Sequence, residues 1–202
     1  MNKNIHPIFD QIAGKAVKEK ITGQKGFSVW MTGLSGSGKS TIARHLEAKL
    51  HQHGVIVKLL DGDNLRSGLC KDLGFNEEDR WENIRRVAEV NRLFNEAGIL
   101  TVNSFVSPTR AIRAHACEII GREAFYEVYI NAPLDVCEQR DVKGLYQKAR
   151  AGEIQDFTGI HQPFEAPENA ALELRTDLLN VDDCTESLYQ QLSIHLKPEA
   201  SA

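Results

Sequence analysis

Short apolar runs recur along this chain, and helical patterns fill the gaps between them. Phe27-Ser28-Val29-Trp30-Met31 and Val55-Ile56-Val57-Lys58-Leu59-Leu60 read as buried strands, as do residues 99–106 and 126–131. A last, shorter strand is expected within residues 172–180. The intervening helices are predicted over 42–50, stopped by Gly54, and over 76–97, closed by Gly98. Further helices are expected over 109–121, from 134–139 into the Lys/Arg-rich stretch 140–150, and over 185–195. Strands alternating with helices imply an α/β fold, a mostly parallel sheet with helices on both faces. Residues 1–25 are polar and weakly helical, an arm leading into a single domain over 26–202. Residues 151–168 carry Gly152, Gly159, Pro163 and Pro167 and read as a long loop. With the basic stretch before it, it forms a lid segment at about 140–168, of the kind that closes over a site and excludes water.

The first strand runs into Gly33-Leu34-Ser35-Gly36-Ser37-Gly38-Lys39-Ser40-Thr41 and then into a helix. Strand, Gly-rich turn and helix are the context a phosphate-binding P-loop requires. The glycines let successive backbone N–H groups turn toward one centre, and the helix N-terminus adds partial positive charge. Lys39 is the residue to reach the β- and γ-phosphates, and the Ser40 hydroxyl the one to sit on Mg²⁺. The expected fold is thus a P-loop kinase fold, and the expected cofactors are ATP and Mg²⁺. Arg140, at the start of the lid, joins residues 33–41 as a nucleotide-binding candidate.

In open parallel sheets ligands bind beyond the carboxyl ends of the strands. The P-loop, residues 61–64 and residues 107–110 all follow strand ends, so they should converge on one cleft. Asp61 and Asp63 straddle Gly62 there. One carboxylate is placed to hold Mg²⁺ through water, the other to accept the proton of an attacking hydroxyl. Arg66 lies just past the strand end, and Arg80 and Asn83 share a helix face. Guanidinium groups grip phosphate and sulfate oxygens bidentately. Arg85 and Arg86 read instead as part of a solvated charged helix. Phe75 and Phe157 both sit in loops, where an aromatic ring stacks on a planar base or is buried beneath the loop.

Composition narrows the partners. A net charge of −4 argues against a general nucleic-acid surface. No run is long and apolar enough for a membrane span, and the N-terminal residues lack a signal-peptide core, so a cytoplasmic place is expected. Cys70, Cys117, Cys137 and Cys184 form no C-x-x-C pair and read as reduced thiols, with Cys117 and Cys137 filling the core. Of seven histidines only His161, in the long loop, falls near the expected site.

Six further motifs follow the P-loop in order. They are Leu60-Asp61-Gly62-Asp63-Asn64, Asp72-Leu73-Gly74-Phe75, Glu82-Asn83-Ile84-Arg85-Arg86 and Ser104-Phe105-Val106-Ser107-Pro108. Gln139-Arg140-Asp141-Val142-Lys143-Gly144-Leu145-Tyr146 and Phe157-Thr158-Gly159-Ile160 complete the set. On these the chain closely resembles the adenylylsulfate (APS) kinases, over residues 26–168. The resemblance implies transfer of the γ-phosphoryl group of ATP to the ribose 3′-hydroxyl of adenosine 5′-phosphosulfate (APS). It implies that Asp61, Asp63, Arg66, Phe75, Arg80, Asn83, Val106, Ser107, Lys143 and Phe157 surround the sulfated nucleotide. Phe75 and Phe157 would sandwich its adenine, and Arg66, Arg80 and Asn83 would hold the phosphosulfate and ribose. Lys39, Asp63 and Ser107 are the catalytic candidates. The resemblance also implies a homodimer. Ser107 matches a serine assigned in the family as a phosphoserine intermediate, whereas the P-loop, Mg²⁺ and a carboxylate suffice for direct in-line transfer. Two positions depart from the family pattern: Thr109 and Phe164 stand where tyrosines are usual. The alternatives are a P-loop kinase of gluconate or shikimate type, which needs no pair of loop phenylalanines, and a GTP-binding switch. The latter has only the short D-x-x-G match at 141–144, with no N-K-x-D motif downstream.

Overall fold

A computed structural model of the chain describes residues 4–8 and 11–197. Its centre is a five-stranded, wholly parallel sheet in the order β2-β3-β1-β4-β5. The strands are β1 (Ser28–Thr32), β2 (Val57–Asp61), β3 (Leu100–Ser104), β4 (Phe125–Asn131) and β5 (Leu172–Arg175). The P-loop strand β1 is central and fully buried, as is β3 beside it. Such strands read as continuous runs rather than alternations, which is why both were legible. Helices cover both faces. The pair α2 (Lys39–Gln52) and α8 (Val181–Ser193) packs together on one side. The pair α4 (Glu77–Glu96) and α5 (Arg110–Ile120) packs on the other, with α1 (Lys15–Thr22) against α4. Trp30 of β1 is fully buried between Phe105, 5.5 Å away and stacked, and Phe125 at 5.6 Å. Among the described residues no helix is long and apolar enough to cross a membrane.

A buried polar seam fastens α4 to the sheet. Asn91 of α4 accepts from Ser28 at 2.9 Å and exchanges 2.8 Å hydrogen bonds with Asn103. Thr101 donates to the same Asn91 oxygen. A half-satisfied buried network is costly, so such a seam permits only one register of helix on sheet.

Side-chain caps set the helix ends. Asn76, Thr109 and Asn180 each accept a backbone N–H from three residues on, starting α4, α5 and α8. The Asn180 cap corrects the expectation of a strand reaching residue 180. β5 ends at Arg175, a turn follows through Leu178 and Leu179, and the last helix begins four residues earlier than its apolar pattern indicated. Residues 62–66, expected only to follow the end of the second strand, form a one-turn helix, α3 (Gly62–Arg66), and the Asp61 carboxylate caps it by accepting the Asp63 N–H at 3.1 Å. The helix expected to run from 134 through 150 is broken into α6 (Leu134–Arg140) and α7 (Leu145–Arg150). The Asp141 carboxylate accepts from the N–H groups of Tyr146 and Gln147, starting a new helix where the old one ends. Cys137 is fully buried as expected. Cys117 is only half-buried, since the inward stripe of α5 runs through Ile112, Arg113, Ala116 and Ile120.

Candidate functional site

The loops beyond the carboxyl ends of β1, β2 and β3 meet in one cleft, as the topology requires. The P-loop forms its floor. Gly33 has φ of +150°, and a Cβ there would stand 2.3 Å from the Ile130 carbonyl oxygen, so only glycine lets β1 turn away beside β4. Lys39 is buried, with Nζ donating to the carbonyls of Gly33 at 2.9 Å and Leu34 at 2.7 Å. Burial pushes its ammonium pKa down to about 8. The lysine is therefore already bent back over its own loop at the mouth of α2.

Ser40, the next residue, donates to the Asp61 carboxylate at 2.7 Å and lies 3.0 Å from the Ser104 hydroxyl. Two hydroxyls and a carboxylate form an all-oxygen donor set, the chemistry that a hard cation such as Mg²⁺ takes. Asp61 thus stands on the P-loop side of the cleft. Asp63, two residues on, pairs with Lys143 instead, and both are exposed. That ion pair joins the end of β2 to the turn between α6 and α7, an approach of segments 80 residues apart.

Arg140 also returns to the P-loop. Its guanidinium donates to the Gly36 carbonyl at 3.3 Å, the Thr176 hydroxyl at 3.2 Å and the Thr176 carbonyl at 2.6 Å. Thr176 in turn donates to Ser37 O at 2.7 Å. Tyr146 of α7 donates to Ser35 O at 2.9 Å, so the lid segment touches the phosphate loop from a second side. Gly159, at φ +93°, leaves room for Leu34 and Leu134, which would stand 3.1 and 3.2 Å from a Cβ.

On the far side of the cleft the two loop phenylalanines are linked through one arginine. Arg80 Nε donates to Phe75 O at 2.7 Å, Nη1 to the Thr158 hydroxyl at 2.9 Å and Nη2 to Asp156 O. It thereby ties the loop carrying Phe75 to the loop carrying Phe157. The Phe75 ring is 64 % exposed, with the Arg66 guanidinium 4.3 Å from its centroid. Arg66 also donates to Leu73 O and Gly74 O at 3.2 and 2.7 Å. Phe157 is half-buried and meets Tyr146 edge-on at 5.0 Å. Asn83 is 4 % exposed, and its Oδ1 is a buried oxygen with no hydrogen-bond partner. Orphaned buried oxygens cost stability, and at a cleft they point to a donor that arrives with a ligand. Arg85 and Arg86 take no part. Both hold Glu82, Arg86 also grips Asp72, and the Glu82 carboxyl is held down to about 2, first by its bond from Arg85.

Val106 and Ser107 close the cleft behind β3. Val106 is half-buried, and its carbonyl accepts from Thr32 at 2.8 Å. Ser107 is buried and has φ of +36°. A non-glycine residue so placed costs about 1–3 kcal/mol and persists only where its surroundings hold it. Its Oγ accepts from Trp30 Nε1 at 3.1 Å and donates to Thr32 Oγ1 at 3.2 Å. Its carbonyl accepts from Arg113 at 2.9 Å. The two departures from the tyrosine pattern have local explanations. Thr109 caps α5 through its hydroxyl, and Phe164 stacks on Tyr129 with centroids 5.8 Å apart.

Comparison with known proteins shows the family. The sequence profile described as Adenylylsulphate kinase matches residues 25–175. The chain belongs to the adenylylsulphate kinase family. An adenylyl-sulfate kinase from Phocaeicola vulgatus is 53 % identical over 188 residues, covering 93 % of this chain and 92 % of the relative. The solved APS kinase CysC of Mycobacterium tuberculosis, in complex with AMPPNP and APS, is 45 % identical with a TM-score of 0.80. That match covers 84 % of this chain and 98 % of the other. A hexameric APS kinase from Thiobacillus denitrificans matches at 28 % identity and a TM-score of 0.64, over 86 % of this chain and 30 % of that one. Family membership sets aside the gluconate, shikimate and GTP-switch alternatives.

Sequence reasoning missed several residues that organise the family's site in this chain. Ser104 lies inside an apolar strand pattern and, though part of the 104–108 motif, was not singled out as a site residue. Thr176 sits in a loop without a motif of its own, and Thr158 lay within the Phe157–Ile160 motif without being singled out. Arg113 was read only as part of the helix over 109–121. Its spacing to Ala116 and Ile120 puts it on the buried stripe of α5, a signal that was available.

Proposed function

We propose that this chain transfers the γ-phosphoryl group of ATP to the ribose 3′-hydroxyl of adenosine 5′-phosphosulfate, giving 3′-phosphoadenosine 5′-phosphosulfate and ADP. The observation that carries the proposal is the Arg80 junction. One guanidinium joins the two loops that bear Phe75 and Phe157, across the cleft from a P-loop lysine. A pair of loop aromatics fits a flat adenine, which a sugar acid or shikimate does not offer. The orphaned Asn83 oxygen supports the same reading, since a ribose or amino donor satisfies it.

In the proposed reaction Lys39 exchanges its own loop carbonyls for β- and γ-phosphate oxygens, and the P-loop amides hold the rest of the triphosphate. Arg140 and Thr176 border the nucleotide on the α6 side. Ser40 and Asp61, with Ser104 behind them, are the residues to hold Mg²⁺, which when bound neutralises developing phosphate charge. Asp63 orients the acceptor hydroxyl and takes its proton. The acceptor oxygen forms the new bond to the γ-phosphorus as the bond to the ADP oxygen breaks. Lys143, through its ion pair, holds the Asp63 carboxylate in place before the acceptor arrives. Arg66, Arg80 and Asn83 hold the phosphosulfate and ribose. Ser107, committed to Trp30 and Thr32, shapes the acceptor side beside Val106 and carries no phosphoryl group.

The lid over 140–168 closes the cleft in this reading and keeps water from the γ-phosphate. A homodimer in the cytoplasm completes the proposal. The apolar Val17 and Ile21, exposed on α1, support self-association. The test is a coupled assay with ATP and Mg²⁺. ADP release should require adenosine 5′-phosphosulfate and should be absent with gluconate or shikimate. The reverse pattern refutes the reading.

A further inference from the structure

Arg113 is 3 % exposed, yet it bonds to neither nucleotide loop of the site just described. It stands where three separate segments meet. Its Nε donates to the Glu127 carboxylate of β4 at 2.7 Å, Nη1 to the Ser107 carbonyl at 2.9 Å and Nη2 to the Glu165 carbonyl at 2.8 Å. The Phe164 ring lies 5.8 Å from the guanidinium carbon. Two further links run alongside. Glu165 N–H donates to Pro108 O at 2.8 Å, and the Glu165 carboxylate accepts from Arg110 N–H at 2.7 Å.

From this we infer that Arg113 is a positioning residue. It clamps the returning end of the lid segment, through Glu165, to the strained Ser107 turn on the acceptor side of the cleft. Ser107 at φ +36° keeps its conformation only while its surroundings hold it. The Arg113 bond to its carbonyl and the Trp30 and Thr32 bonds to its hydroxyl are those restraints. Glu127, fixed in the sheet, supplies the countercharge that makes a buried guanidinium tolerable there. A planar fork with several donors fits three acceptors at once, which a lysine ammonium on its flexible stem does not. Among the links between the lid and the acceptor side, Arg113 is the buried one, and it touches no reacting atom.

The kinetic half of this inference rests on the reading that the cleft takes adenosine 5′-phosphosulfate, and the structural half does not. Arg113→Lys keeps the charge opposite Glu127 and loses the fork. Amide hydrogen exchange on the ligand-free protein should show residues 163–168 exchanging about tenfold faster or more, as expected for losing bonds to a charged group. The amides of β1 should be unchanged. In assays with ATP, KM for adenosine 5′-phosphosulfate should rise about tenfold, while KM for ATP stays within about twofold. Glu127→Gln leaves the guanidinium without its countercharge and should raise exchange across the fold, β1 included, rather than at 163–168 alone. If Arg113→Lys does not fold, Arg113→Met with Glu127→Gln leaves no buried charge unpaired and should show the same local loosening. Unchanged exchange at 163–168, or equal rises in both KM values, overturns the clamp. So does a Glu127→Gln profile matching that of Arg113→Lys. An enzyme inactive on adenosine 5′-phosphosulfate but loosened at 163–168 keeps the clamp and refutes only the substrate.

Discussion

The two halves of the cleft are built differently. The P-loop half comes from one stretch of chain, residues 33–41, seated on the central strand. Lys39 and Ser37 are buried there, and Lys39 is tied to the carbonyls of its own loop, while the Ser40 hydroxyl stands at the exposed edge. The acceptor half is assembled from segments far apart in sequence, at residues 63–66, 75–83, 106–107, 143 and 157. Asp63, Lys143 and Phe75 all stand open to solvent. A phosphate-binding floor is shared by many kinases and can be a rigid part of the core. In the proposed reaction, recognition of the acceptor falls to exposed loops that a few side chains, Arg80 and Arg113 above all, hold in register. Damage to the first half should therefore be read in both chemistry and folding, and damage to the exposed part of the second in chemistry alone.

The largest expected effect tests that asymmetry from the exposed side. Asp63→Ala should lower turnover about 10²–10⁴-fold, the range for losing a positioned acid–base group. Thermal stability should barely change, because the carboxylate is 71 % exposed and α3 is capped by Asp61 instead. Steady-state kinetics beside a melting curve decide it. A folded Asp63→Ala enzyme with near-parental turnover removes this residue from the chemistry and erases the contrast.

Lys39→Met, from the buried side, should cost about 10²–10³-fold in turnover, as for loss of one preorganised donor to the transition state. Its folding consequence should be opposite to that of an ordinary core mutation. Burial depresses the ammonium, so the charged form is held against its preference, and a methionine of similar length removes that strain. The melting temperature should hold or rise. A fall of several degrees would mean that Lys39 stabilises its own loop more than burial penalises it.

The same lysine gives a pH signature. Its pKa is about 8 in the folded chain against 10.5 for an ordinary lysine. Above pH 8 the free protein loses this proton, while a bound triphosphate demands it. Affinity for a non-hydrolysable ATP analogue should be flat below pH 8 and fall by up to about tenfold per unit above it. Folding runs the other way. Between about 8 and 10.5 the unfolded chain holds the extra proton, so this residue makes stability rise with pH. Titration calorimetry from pH 7 to 9.5 checks the first claim, and Lys39→Met should abolish the slope.

Much of this division was legible before any coordinates, and the failures have physical causes. Buried parallel strands are continuous apolar runs, and the Gly-rich turn between β1 and α2 has few other uses, so the P-loop half was readable from one segment. The acceptor residues were named from ordered motifs, but their neighbours were not. Thr158 and Thr176 act through single hydroxyls in loops, and Arg113 looks like any helical charge unless its buried stripe is drawn. Element ends failed where a side chain overruled periodicity. The Asp141 carboxylate starts α7 within an unbroken helical pattern, Asp61 starts α3 where only a strand end was expected, and Asn180 starts α8 early. Periodicity reports which face is buried, whereas caps depend on one hydrogen bond.

The smallest effect on turnover is expected at Ser107, which belongs by position to the acceptor half and by burial to the other. A phosphoserine route would make Ser107→Ala inactive and would give net retention at phosphorus through two displacements. The geometry argues for one displacement. The Ser107 hydroxyl is buried, accepts from Trp30 and donates to Thr32, and neither partner is a base able to take its proton. The exposed Asp63 carboxylate is the base available in the cleft. Ser107→Ala should therefore cost about fivefold or less in turnover, the worth of one neutral hydrogen bond. Its larger cost should fall on folding. The Trp30 N–H loses its acceptor in a fully buried place, a penalty of about 1–3 kcal/mol. A residue that matters more to stability than to rate is the inverse of Asp63, and measuring both variants sharpens the contrast. Chiral γ-phosphate should emerge inverted; net retention would overturn direct transfer whatever the mutant rates.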